Sequence, residues 1–171
     1  MDKKKECKTI VEKEKDLEVE TKKRIDKLNK EFAEKPIIKL FENIHGYDQI
    51  IAQVGIPVSA LCEHHHVSFE GEVAIAYIPD KYLTGLSKLG RLSEYYLNPT
   101  VKTTQEKATH QILKDLIATL NPLGAMVVVK ARHNCICFRG VKKPSTTITS
   151  AVYGKFKEQQ ATRQEFLSLL N

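Results

Sequence analysis

The chain has 171 residues, which suits one domain with an appended arm. Hydrophobic residues make up 42% and charged residues 28%, so a packed core is within reach, and no apolar run approaches the ~20 residues of a membrane span. The net charge of +6 suits an anionic partner such as a phosphorylated small molecule, although a solvated surface with a lysine excess accounts for it equally. Aromatic residues do not interleave with basic ones as on a single-strand stacking platform, so a nucleic-acid role ranks last.

The chain opens on MDKKKECK, charged from the start and without an apolar h-region, and a cytoplasmic protein is expected. Residues 1–35 are dense in Lys and Glu. Ile25, Leu28 and Phe32 fall three and four apart, which predicts a helix over roughly 8–34, ended by Pro36. Residues 37–48 (IIKLFENIHGYD) read as a short helix and a turn at Gly46, which closes an N-terminal helical arm over 1–48. The remaining residues, 49–171, form the expected main domain.

Residues 49–61 read as a strand interrupted at Gly55-Ile56-Pro57. VSFEGEVAIAYIP holds a second strand, covered on at least one face, because Val73, Ile75 and Tyr77 alternate with Ala74, Ala76 and Ile78. Leu86, Leu89, Leu92 and Tyr96 predict a helix over 85–97 that Asn98-Pro99 stops. A long amphipathic helix follows over 103–120, with Ile112, Leu116 and Leu120 on one side. AMVVVKARHNCICFRG and the β-branched TTITSAVYGKF then read as strands. Thr162-Arg163-Gln164-Glu165 has the capping-box pattern and is expected to open a final short helix. The order predicts an α+β fold, with two helices on one face of an antiparallel sheet.

Four cysteines are present, Cys7, Cys62, Cys135 and Cys137, and two of them lie beside histidines. Cys62-x-x-His65 places a thiolate and an imidazole at a spacing that one tight turn converges on an ion. If ARHNCICF is extended, His133 and Cys135 share a face and project into one cavity. Thiolate and imidazole donors together favour zinc over magnesium or calcium. Two cysteines and one histidine leave the fourth position open, the catalytic pattern, in which a bound water ionises near neutral pH. Either half alone has an ordinary structural explanation. Cys137 points the same way as Cys135 in a strand, and as a fourth ligand it makes the site structural. The run His64-His65-His66 leaves the choice of imidazole open, because a Cys62/His66 pairing is also permitted in an extended strand.

In this order, CEHHHVSFEG, GLSKLGR, TQEKAT, ARHNCICFRG and TTITSAVYGKF resemble the motifs of GTP cyclohydrolase I, from about residue 61 to the C-terminus and including TRQEFLSL. Upstream, TKKRIDKL at 21–28 resembles the family's short helical motif, with Lys22 where the family usually has proline. His66 stands where the family usually has an apolar residue.

The resemblance implies the tunnelling (T-) fold, a toroidal homodecamer with active sites at subunit interfaces, and a place in pterin biosynthesis. It implies opening of the guanine ring of GTP, release of C8 as formate, and rearrangement of the ribose to 7,8-dihydroneopterin triphosphate. Zinc ligands fall on Cys62, His65 and Cys135, and catalytic residues on His64, His133 and Ser87. Glu106, preceded by Gln105, falls on the purine anchor. Lys88, Arg91 and Arg139, with Ser87, fall on the triphosphate contacts, and Arg24 and Lys27 are carried over from the upstream motif. Two alternatives remain: another T-fold enzyme acting on pterins or deazapurines, and a non-catalytic binding module stabilised by zinc.

Overall fold

The computed structural model describes residues 10–170, so Cys7 and the first residues of the expected N-terminal helix lie outside them. The chain divides into two compact units, one ending at Glu34 and one starting at Lys35. The first unit holds α1 (Ile10–Ala33), a helix of mixed charge that leaves Leu17, Val19 and Ile25 at least half exposed. The side chains of Leu28 and Phe32 are outside the described set.

The boundary falls earlier than the expected 48/49. Residues 37–48 do not form a helix. They contribute β1 (Leu40–Glu42), which pairs antiparallel with β4 (Tyr82–Thr84) of the same unit. Asn43 closes the turn that follows, donating from Nδ2 to Tyr47 O at 2.8 Å and to Asp80 O at 3.0 Å, while its Oδ1 accepts from Tyr47 N. Gly46 supplies the positive φ of 63° that the turn needs. A partner strand some forty residues away decided this segment, and local pattern does not record it.

A second, five-stranded sheet carries the unit. It runs β5-β2-β3-β6-β7, with β2 (Ile51–Cys62), β3 (Ser68–Ile78), β6 (Gly124–His133) and β7 (Thr146–Gly154) successively antiparallel. The short β5 (Lys102–Thr103) adds in parallel to the end of β2. The interruption expected at Gly55 is a register shift between Gln53 and Ile56, with Gly55 at φ 66°. Gly71 lets β3 and β6 close, because a Cβ there would stand 2.0 Å from Lys130 O.

One face of the sheet packs under α2 (Leu86–Tyr96) and α3 (Gln105–Leu120). Their buried stripes, Leu89 and Leu92 on one and Ala108, Ile112, Leu116 and Leu120 on the other, meet Val73, Ile75, Tyr77, Val127 and Val129. Thr104 caps α3 by accepting from Lys107 N, and Asn121, in the left-handed region, ends it. The opposite face is also covered in part. Ala74 and Ala76 are small enough to leave room for Phe156 and Phe166, which meet edge-on at 6.0 Å. These phenylalanines come from α5 (Lys155–Glu158) and α6 (Gln160–Ser168). The expected capping box is not realised. Gln159 precedes α6, and Thr162 lies inside the helix, its hydroxyl donating to Gln159 Oε1. Among the described helices none is long and apolar enough to cross a membrane.

Candidate metal centre and active site

The run at 61–71 is not extended through its histidines. β2 stops at Cys62, β3 begins at Ser68, and the residues between form a tight turn. His66 N donates to Cys62 O at 2.8 Å and Cys62 N donates to Val67 O at 2.9 Å. His66 sits at φ 53°, a left-handed position where the chain turns back into β3. The extended strand that would permit a Cys62/His66 pairing therefore does not arise. The turn instead folds His65 back, with Nδ1 3.5 Å from Cys62 Sγ.

Cys135 arrives by a different route from the one its spacing suggested. β6 ends at His133, and Asn134–Cys137 form the single helical turn α4. Residues i and i+2 diverge on a helix, so Cys135 and Cys137 part company. Cys135 joins Cys62 and His65, with all three donor atoms within 4.8 Å of one another. The Cys137 sulfur accepts from Arg132 Nε at 3.2 Å, outside that trio. Cys62, Cys135 and Cys137 are free thiols.

The donor set suits zinc. Tetrahedral bonds of about 2.3 Å to sulfur and 2.0–2.1 Å to nitrogen separate the two donors by about 3.5 Å, which is the Cys62–His65 separation seen here. Burial, then the neighbouring Cys62 sulfur, push the Cys135 thiol up. A thiol so placed resists ionisation until a cation offsets that cost. The arrangement is braced from three sides. Glu63 N donates to Thr103 O of β5, Asn134 Nδ2 donates to Ser68 Oγ at 2.9 Å, and Arg139 donates to His65 O at 2.8 Å.

His133 stands next to the trio, half-buried at the end of β6, its ring stacked on Phe69 at 4.6 Å. Burial lowers its pKa, the Glu106 charge opposes this, and His65 adds to the lowering. Nε2 lies 2.9 Å from Gln105 Oε1. Gln105 is 1% exposed, and its amide nitrogen donates to Val129 O, Thr147 O and Thr149 Oγ1. Glu106, one residue on, is exposed. His64 is exposed beside the trio, and its ring meets that of His65 edge-on at 6.2 Å.

The remaining expected residues lie on two helices, α2 and α1. Ser87 and Lys88 open α2 just after β4, which follows the Ile78 end of β3, while the trio lies at the Ser68 end. The eleven residues of β3 separate those ends by roughly 33 Å. Arg91 lies one turn further along α2. Arg24 belongs to α1 in the first unit, where it pairs with Glu20 at 2.6 Å, and Lys27 lies on the same helix.

An α+β unit holding two cysteines and one histidine that could bind a metal ion, beside a second histidine and a carboxylate, has the features of a metalloenzyme. The family model for GTP cyclohydrolase I matches residues 6–171. A GTP cyclohydrolase 1 of Sulfurihydrogenibium is 40% identical over 156 residues, covering 89% of this chain and 82% of that protein. One of Aquifex aeolicus is 44% identical over 135 residues, covering 78% and 72%. One of Gloeobacter violaceus is 43% identical over 127 residues, covering 74% of this chain and 58% of its own length. The chain belongs to the GTP cyclohydrolase I family, and its sheet with two helices on one face is the arrangement predicted from the order of its elements.

Proposed function

We propose that this chain is a zinc-dependent GTP cyclohydrolase I that converts GTP to 7,8-dihydroneopterin triphosphate and formate. The convergence of Cys62, His65 and Cys135 beside His133 and Glu106 carries this reading. When bound by those three side chains, zinc supplies a Lewis acid and a water that ionises near neutral pH.

The chain's own residues do the rest. Glu106 accepts from guanine N1–H and the exocyclic amine, a pair of donors that adenine does not present together. His64, beside the metal ligands but not among them, delivers a proton to purine N7 as C8 is attacked. His133 serves as the second acid–base group, its ring orientation held by Phe69 and Gln105. Arg139 and Arg91 fork onto phosphate oxygens, and Lys88 acts there as a point charge. Ser87 relays a proton in the sugar rearrangement, and Arg24 and Lys27 add cationic contacts to the triphosphate.

The start of α2 follows the end of β3 opposite the trio, which supports a composite site, with Ser87, Lys88 and Arg91 supplied by a neighbouring copy, as in a ring-shaped homodecamer. Among the described residues the three cysteines are free thiols, two of them in the metal set, which suits the reducing cytoplasm. Incubation of the purified, zinc-loaded protein with GTP is expected to release formate and a product that becomes a fluorescent pterin on oxidation. An assembled, metal-loaded protein that yields neither overturns the proposal.

A further inference from the structure

Gln105 was expected at the substrate, yet it is buried behind His133 with every polar atom of its side chain engaged. A primary amide can be turned end for end, so its orientation has to be argued from its partners. Val129 O and Thr147 O only accept, and each lies 3.0 Å from the Gln105 nitrogen. The third partner, Thr149 Oγ1, is 3.1 Å away. Its hydroxyl faces Thr109 Oγ1 at 2.7 Å, and Thr109 already donates its own proton to Gln105 O, also at 2.7 Å. Thr149 must therefore donate to Thr109 and can only accept from Gln105. Three acceptors converge on one end of the amide, so that end is NH2 and the end facing His133 is the carbonyl oxygen.

A carbonyl oxygen accepts only. The His133 nitrogen 2.9 Å from it therefore carries a hydrogen. We infer that Gln105 is a positioning residue that holds His133 with Nε2 protonated, leaving Nδ1 as the nitrogen that exchanges protons with the substrate. This inference rests on the proposed function only for what His133 acts upon. In the neutral ring, Nδ1 offers a lone pair. When it gains a proton there, the ring becomes an imidazolium while Nε2–H stays on Gln105. Phe69, stacked at 4.6 Å with its plane tilted by only 12°, keeps the ring from swinging away from the amide. The acceptors on Gln105 come from β6 and the edge strand β7, so the tautomer is set by the joint between strand and helix and not by anything that binds in the site.

Solid-state ¹⁵N spectra of the assembled, histidine-labelled, zinc-loaded protein test this without turnover, with His133 assigned by its loss in His133→Asn. The His133 signal is expected to show protonated Nε2 and bare Nδ1 at neutral pH. Protonated Nδ1, or a mixture of both forms, overturns the inference whether or not the protein turns over GTP. Gln105→Met keeps the side chain's shape without its polar atoms. It is expected to mix the His133 tautomers and lower kcat roughly 10–100-fold, with KM for GTP changed by less than about threefold. A rise in KM at unchanged kcat would put Gln105 on the substrate and overturn the positioning role. If the variant does not assemble, the spectra of the unaltered protein decide.

Discussion

His64→Ala separates proton transfer from metal binding. His64 is exposed and lies outside the Cys62, His65, Cys135 donor set. Truncating an exposed side chain away from caps and strained positions usually shifts stability by about 0.5 kcal/mol or less. For a chain of this size that is about 1–2 °C in Tm. A positioned acid–base group contributes roughly 10²–10⁴-fold to rate, which is about 2.7–5.4 kcal/mol of barrier at 1.36 kcal/mol per decade. The two effects are separable by an order of magnitude in energy. Three measurements on one preparation are expected to show zinc per subunit unchanged, Tm nearly unchanged, and formate release from GTP slowed 10²–10⁴-fold. Loss of zinc would make His64 a ligand. A kcat within threefold of the unaltered protein, with zinc retained, would remove His64 from the chemistry.

Cys135→Ala is expected to abolish stoichiometric zinc, read by atomic emission, because it leaves one sulfur and one imidazole on a single hairpin turn. A composite site predicts complementation. Lys88→Ala and Cys135→Ala subunits, each inactive alone, are expected to recover activity when co-assembled at random, up to about one quarter of full; no recovery in a verified hybrid would put both halves of the site in one chain. Gly71→Ala is expected to destabilise the fold by about 1–3 kcal/mol or more, read from denaturant midpoints, since the new methyl would meet the backbone of Lys130 and Ala131. A change under about 0.5 kcal/mol would mean that β3 and β6 part more easily than their register implies.

Much of the site was legible because its chemistry is carried by residue type. A cysteine and a histidine three apart, and a second histidine–cysteine pair far along the chain, already specified a soft-donor metal site. The carboxylate at Glu106 and the cations at Lys88, Arg91 and Arg139 came only through resemblance, since a solvated helix face explains such residues equally well. Gln105 could have been placed better from sequence. It lies three, four and seven residues before Ala108, Thr109 and Ile112, on the buried stripe of α3, whereas Glu106 falls one residue off it. That spacing already turns one side chain inward and the other out.

The sequence by itself determined the α+β order, the two helices that cover one face, the interruption at Gly55 and the types of metal donor on offer, because period, turn residues and ligand chemistry are local properties. Only the tertiary structure decided how the donors meet. Cys62 and His65 converge through a hairpin turn closed by a left-handed His66, and Cys135 through a helical turn that also removes Cys137 from the centre. Both depend on where strands β2 and β6 end, and strand ends are set by cross-strand partners remote in sequence. The same reason made residues 40–42 a strand against β4, which leads into Ser87 and Lys88 from the end of β3 opposite Ser68.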